Sequence, residues 1–146
     1  MAKVVAVNIS EKKGVPKHSI GKGYFGVNHG LVGDAHAGNW HRQVSLLGIE
    51  SIEKVRAEGL KELCIGKFAE NITTQGILLY ELPVGTRLKI GEALMEVTQI
   101  GKECHQGCAI RKLVGNCVMP REGIFTKVIS PGWVKAGDTI EIVIDE

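Results

Sequence analysis

Apolar and polar positions alternate over short runs in most of the chain, and short runs of this kind predict β-strands. KVVAVNI (residues 3–9) is β-branched and mostly apolar, as a buried strand would be. QVSLL (43–47) is a second such run. LLYEL (78–82), RLKI (87–90) and LMEVTQI (94–100) predict three more, separated by Pro83, Gly85 and Gly91. The pair at 87–100 has the form of a hairpin with Gly91 in its turn. IFTKVI (124–129) and TIEIVI (139–144) alternate cleanly, with turns at 130–132 and 136–138 between them. Only Ile49, Ile52, Val55 and Leu60 fall near a helical period. They predict a short amphipathic helix over 51–58 that stops at Gly59.

Two stretches lack either period. Residues 11–39 are polar and glycine-rich, and a segment of that length in a compact domain is functional or holds short extended pieces. Residues 67–74 (KFAENITT) are irregular. Six or seven short strands with one to three short helices predict a mostly β fold, a small antiparallel β-barrel, formed by residues 1–146 as a single domain.

Composition supports this picture. The chain has 146 residues, 44% of them hydrophobic, enough to bury a core without disulfides or metals. Glycine is abundant at 19 residues, and aromatics are scarce at 5%, a balance that suits many tight turns. A net charge of +2 is not the strongly basic footprint of a nucleic-acid partner. No apolar run approaches the roughly 18 residues of a membrane helix, and the N-terminal run is too short for a signal-peptide core. The expected location is therefore cytoplasmic, where thiols stay reduced and cysteines serve as catalytic, metal-binding or buried groups.

Chemistry concentrates in residues 102–119, KECHQGCAIRKLVGNCVM, which hold three of the chain's four cysteines. Cys104 and Cys108 would share one face of a helix with Arg111 in reach, and a nearby cation favours thiolate over thiol. Cys117 follows a Gly-Asn turn. Lys102, His105 and Arg121 add further polar groups. The segment predicts a thiolate nucleophile, a sulfur carrier or a soft metal ligand. Cys64, alone between Leu63 and Ile65, reads as a core residue. A structural zinc site on Cys104, Cys108, Cys117 and a histidine competes, but the C-x3-C-x8-C spacing lacks paired C-x2-C knuckles.

A second constellation, GDAHAGNWHR (33–42), offers Asp34, His36, His41 and Arg42 in a glycine-rich setting suited to phosphate or another oxyanion. Glu70 and Asn71 form a third polar cluster. No phosphate-binding P-loop, dinucleotide fingerprint, nucleophile elbow or H-E-x-x-H motif occurs, which leaves nucleotide-driven chemistry, serine hydrolysis and zinc proteolysis unsupported.

The ordered series GDAHAG (33–38), RQVSL (42–46), AENI (69–72), LPVGT (82–86), LKIG (88–91), the cysteine segment and GWVKAGD (132–138) resembles the MOSC domain, the C-terminal domain of molybdenum cofactor sulfurases. The form of residues 102–108 and 119–125 is similar to a stand-alone bacterial branch associated with molybdenum cofactor biosynthesis. The resemblance implies a MOSC-like β-barrel with a key cysteine, at the place of Cys104 after the 94–100 strand or of its rival Cys117. That cysteine would carry sulfur from a cysteine desulfurase, with pyridoxal phosphate only on that partner, or ligate molybdenum. The implied ligand is the molybdenum cofactor, a pterin, with cations such as Arg42 meeting its phosphate. Many members have Arg after the Gly-Asp pair where this chain has Ala35. Two further expectations are a molybdenum-cofactor-dependent reductase of N-hydroxylated compounds and a non-enzymatic domain with structural zinc.

Overall fold

The computed structural model describes residues 2–11, 17–35, 37–57, 70–101 and 123–143. Eight strands form the larger sheet: β1 (Lys3–Ile9), β2 (His18–Ser19), β5 (Val44–Gly48), β6 (Ile72–Gln75), β7 (Arg87–Ile90), β8 (Ala93–Ile100), β9 (Ile124–Ser130) and β11 (Ile140–Val143). Their order is β11-β7-β8-β9-β5-β6-β1-β2. A smaller sheet has the order β10-β3-β4, formed by β3 (Lys22–Gly26), β4 (Gly30–Leu31) and β10 (Gly132–Lys135). The single α-helix among the described residues, α1 (Ile49–Ala57), follows β5 directly.

The mostly β expectation holds, and the strands predicted at 3–9, 43–47, 87–90, 94–100, 124–129 and 139–144 form within a residue or two of those bounds. Among the described residues the larger sheet does not close into a barrel. β1 divides its free edge: Asn8 and Ile9 pair with β2, whereas its first residues meet the chain just before β11. That seam consists of one bridge, Lys3 to Thr139, with Val4 N donating to Asp138 O (2.8 Å) and Ile140 N to Ala2 O (3.0 Å). A pair of short flanking strands cannot extend it into a ladder.

The sheet is also not wholly antiparallel, because β5 and β6 pair in parallel. The irregular stretch 67–74 thus contains a strand that alternation could not reveal: Ile72, Thr73 and Thr74 are all buried, so apolar and polar positions do not alternate. Residues 79–81 form a 3-10 turn in place of the strand expected over 78–82. Its carbonyls are satisfied locally, by Glu81 N to Leu78 O and Leu82 N to Leu79 O, while the Leu79 side chain plugs the core. The glycine-rich stretch 11–39 holds β2, β3 and β4, the short extended pieces expected of it.

The core lies inside the curl of the larger sheet and under one face of the smaller one. Val4, Val7, Leu46, Ile72, Leu88, Ile90, Met95, Val97 and Ile124 come from the larger sheet, and Phe25, Leu31 and Val134 from the smaller. Gly30 makes a close approach possible: φ is +105°, and a Cβ there would lie 2.5 Å from the Gln43 carbonyl oxygen. This contact seats the 27–42 loops on the start of β5. The helix stop at Gly59 and the buried role of Cys64 lie outside the described residues.

Candidate functional site

The strand registers place residues from distant parts of the chain in one row. Gln99 of β8 is paired with Phe125 of β9, and Phe125 with Ser45 of β5. Asn71 N then donates to Ser45 O (2.9 Å), and Asn8 N to Asn71 O (2.7 Å). Directly paired residues on neighbouring strands present their side chains on the same face. Four strands, with Asn71 just before β6, therefore bring the second and third constellations together along one line.

At the β1 end of the row, the polar groups are buried and bonded to each other. Asn71 Oδ1 accepts from Ser45 N (3.0 Å) and Ser45 Oγ (3.1 Å), while Asn71 Nδ2 donates to Asn8 O (3.3 Å). Asn8 Nδ2 donates to Glu70 O and to Thr73 Oγ1, and Thr73 Oγ1 donates to Glu70 Oε2 (2.9 Å). Glu70 is fully buried, and its neighbour Asn71 nearly so. Asp34 joins this network from the 33–42 segment. Its Oδ1 accepts from Ser10 N (3.0 Å) and from Lys17 Nζ (2.7 Å), and both side chains of the ion pair are fully buried. Burial pushes the Asp34 carboxyl up, but the Lys17 ammonium, the Ser10 amide and Asn71 together outweigh it. The carboxyl therefore stays below its usual range and is ionised.

At the β8 end the groups are accessible. Arg42 Nε donates to Gln99 Oε1 (3.0 Å), and its guanidinium carbon lies 5.2 Å from the Phe125 ring centroid. His41 Nε2 is 3.0 Å from the same Gln99 oxygen. Since a guanidinium can only donate, the shared atom is an acceptor, and His41 Nε2 carries the proton it donates. Thr98 Oγ1 bonds the His41 carbonyl, and Trp40 meets His41 edge-on with centroids 5.8 Å apart. Arg42's terminal nitrogens make no hydrogen bond among the described residues, so a half-buried cation keeps two donor nitrogens, with four N–H groups, for another partner. This donor set suits a phosphate or another oxyanion.

The same end of the row anchors the cysteine segment. Gly101 N donates to Gly123 O (2.7 Å), closing the base of residues 102–122, and Gln99 Nε2 donates to Gly101 O (2.7 Å). One carboxamide therefore holds the base of the cysteine segment, the guanidinium and the imidazole together.

Of the residues that the sequence singles out, Asp34, Glu70 and Asn71 share the buried network, and His41 and Arg42 share the accessible cluster. His36, Lys102, Cys104, Cys108, Arg111, Cys117 and Arg121 lie outside the described residues. Sequence reasoning missed Asn8, Ser10, Lys17, Ser45 and Gln99, whereas Thr73 stood beside Glu70 and Asn71 in the third polar cluster. Asn8 and Ser10 carried a signal, because they put polar groups at the end of an apolar strand. Lys17 and Gln99 carried none. Among the described residues no group of three or more His, Cys, Asp or Glu side chains is arranged to hold a metal ion. No helix among them is long and apolar enough to cross a membrane.

A curled, open β-sheet with an accessible Arg42–His41–Gln99 cluster on its surface defines a small, mostly β domain. The family model of the MOSC domain matches residues 33–141, and the chain belongs to the MOSC domain family. Membership makes it, in the general sense of that family, a molybdenum-cofactor-related domain. The structure is similar to that of the YuaD protein from Bacillus subtilis, with a TM-score of 0.81, 21% identity and coverage of 99% of this chain and 97% of that one. It is also similar to YiiM from Geobacillus stearothermophilus, with a TM-score of 0.75, 16% identity and coverage of 99% and 76%. YiiM from Escherichia coli gives a TM-score of 0.69, 22% identity and coverage of 100% and 71%. Likeness at these identities shows the fold. Comparison with curated proteins finds none that matches.

Proposed function

We propose that this protein is a single-domain handler of sulfur for the molybdenum cofactor, in which Cys104 accepts sulfur from a cysteine desulfurase or ligates the molybdenum of a bound pterin cofactor. The observation that carries the reading is the Gln99 junction, where the base of the cysteine segment meets Arg42 and His41. An extended chain spans at most about 3.6 Å per residue. Cys104, three residues beyond Gly101, is thus tethered within about 11 Å of it. Cys117 and Cys108, six and seven residues from the nearer anchor, reach about 22 and 25 Å. Cys104 is the thiol on the shortest tether to the junction, and Cys117 is the rival.

The residues fit the cofactor's acidic group. Arg42 supplies two unengaged donor nitrogens and a permanent charge, and Gln99 fixes the direction of the fork through Nε. His41, protonated on Nε2, leaves Nδ1 to accept a proton or a hydrogen bond. Lys102, Arg111 and Arg121 add cations from the cysteine segment. The buried Asp34, Glu70 and Asn71 act one step back, holding the start of β5 and the 33–42 segment in place. When bound, the cofactor supplies a thiophilic molybdenum centre.

In sulfur transfer, the Cys104 thiolate attacks the terminal sulfur of the donor's persulfide. The donor's sulfur–sulfur bond breaks and its thiolate leaves, so Cys104 becomes a persulfide with no net oxidation. Nearby cations favour the attacking thiolate. The expected compartment is the cytoplasm, where thiols stay reduced. The test is anaerobic purification with molybdenum and pterin analysis, plus a persulfide assay after incubation with a desulfurase. Cys104→Ser should lose the persulfide while Cys108→Ser keeps it. Absence of molybdenum, pterin and persulfide together rejects the reading. Reductase turnover on N-hydroxylated compounds with a supplied electron donor would favour the alternative enzyme role. Stoichiometric zinc with loss of folding on chelation would favour a structural zinc domain.

A further inference from the structure

The smaller sheet covers the core with one face, where Phe25, Leu31 and Val134 are buried. Its other face carries the exposed register pair Lys22–Lys135, as the solvent side of an antiparallel sheet should. Beside that pair it is apolar. Trp133 and Tyr24 are register partners, and Val32 N donates to Tyr24 O (3.0 Å), so a row runs from Trp133 of β10 through Tyr24 of β3 to Val32, just past β4. These side chains are 48%, 37% and 54% exposed. Such a row of large apolar groups on a solvent face calls for an explanation, whereas a lone exposed leucine would not.

The row ends at a cleft of about 460 Å3 lined by Lys22, Glu92, Trp133, Lys135, Asp138 and Thr139. That is within the size range of small-molecule sites. Its walls are fixed. Glu92 N donates to Trp133 O (3.1 Å), Tyr24 packs edge-on against the indole at 5.4 Å, and a Cβ on Gly91 would fall 2.4 Å from Asp138 Oδ2. The charges are unequally matched. Lys135 Nζ is held by Asp138 at 2.9 Å, and Glu92 also acts on it. Lys22 Nζ sits 5.2 Å from the Trp133 ring centroid and makes no ion pair among the described residues. The cleft therefore joins an indole to two lysines and two carboxylates, of which Lys22 is the cation not held in an ion pair among the described residues.

This is not the Gln99 junction. The cleft meets the larger sheet at the β7–β8 turn, and six residues of β8 separate Ala93 from Gln99, about 20 Å at strand rise. From the cleft, the exposed row and the Lys22 ammonium over the indole, we infer a second ligand site that binds a planar heteroaromatic ring bearing a phosphate or carboxylate. The ring packs against Trp133 and Tyr24, and the acidic group meets Lys22. The site stands independently of the sulfur-handling role.

The test is a titration of the full-length protein with adenosine 5′-monophosphate and with pterin-6-carboxylate, followed by NMR of the two indole N–H signals. The signals are assigned with Trp40→Phe and Trp133→Phe variants. The Trp133 signal should shift and saturate with at least one of these ligands. The corresponding ring without its acidic group, adenosine or pterin, should bind about tenfold more weakly, the scale of one charge-assisted contact. Inorganic phosphate alone should leave the signal in place. Lys22→Met, a surface substitution, should lower affinity for the acidic ligand to that of the bare ring. Trp133→Leu should abolish binding of both, and Trp133→Phe, which keeps a ring, should retain part of it. An unmoved Trp133 signal with both acidic ligands overturns the inference. So does a shift confined to Trp40, or a Lys22→Met variant that binds as tightly as the parent.

Discussion

Lys17 and Asp34 form a fully buried ion pair, with Lys17 Nζ 2.7 Å from Asp34 Oδ1 and 3.2 Å from Ser10 Oγ. The pair joins the chain just before β2 to the segment that leads to Arg42. Asp34 also receives the Ser10 amide at the end of β1, so three backbone segments meet on one carboxylate. Removing either partner strands a charge in the interior.

Lys17→Met should therefore destabilise the fold by about 3–5 kcal/mol, the usual cost of breaking a buried pair from one side. Combining Lys17→Met with Asp34→Leu should recover part of that loss, because no charge is left unpaired. Denaturant unfolding of the two single variants and the double variant measures the coupling.

The same carboxylate makes stability depend on pH. Its folded pKa lies below its unfolded value, so the stabilisation is fully present above the unfolded carboxylate range, near pH 4, and is lost as pH falls through the folded pKa. Acid unfolding of the parent should follow this loss. Asp34→Asn should be less stable at neutral pH and show a shallower decline on acidification, as read by thermal unfolding between neutral and acidic pH.

Asn71 links β5 to β1 through both ends of its carboxamide. Asn71→Leu leaves the Ser45 amide and hydroxyl without their acceptor in a buried place. A cost of about 2–4 kcal/mol is expected, from one or two unsatisfied groups. Hydrogen exchange should show the Ser45 amide losing protection before the β7–β8 hairpin does.

Gln99 is half-buried and holds side chains rather than the core, so Gln99→Ala should cost about 1 kcal/mol or less in stability. Under the proposed function it should nonetheless weaken pterin-cofactor binding and slow persulfide formation, because Arg42, His41 and the base of the cysteine segment lose their common partner. Cofactor content measured beside the melting temperature separates the two effects. An unchanged cofactor content would argue against the Gln99 junction as the binding site.

Gly30→Ala tests the seating of the 27–42 loops on β5. The new Cβ meets the Gln43 carbonyl at 2.5 Å in a left-handed backbone conformation. A loss of about 2 kcal/mol or more is expected from strain and displacement together. Gln43 Oε1 accepts from Val128 N (3.0 Å), so the disturbance should spread to β9 and appear there as amide shifts.

Local pattern was sufficient where one face of a strand is buried. Residues 87–100 alternate because one face of β7 and β8 lines the core, and 3–9, 124–129 and 139–144 likewise form strands, β11 burying only Ile140. The motif residues were legible as well, since Asp34, Arg42, Glu70 and Asn71 are polar groups in turn-rich settings and the ordered motif series resembles one family. Strand β6 was hidden because ITT is buried throughout, paired on both sides by β5 and β1, with the Thr73 hydroxyl bonded to Asn8 and Glu70. Residues 79–81 were misread because leucines spaced for a strand also fit a 3-10 turn with Leu79 in the core.

The sequence by itself determined the β-rich class, the core faces and the chemical inventory: thiols, a glycine-rich acid-and-base segment and their family. It could not determine that Lys17 neutralises Asp34, or that Gln99 gathers Arg42, His41 and the base of the cysteine segment. The Lys17–Asp34, Arg42–Gln99 and His41–Gln99 contacts join residues 17 to 58 positions apart and exist only once the strands take up their register. Register is set by burying one face of every strand at the same time, a property of the whole sheet that no local stretch of sequence carries.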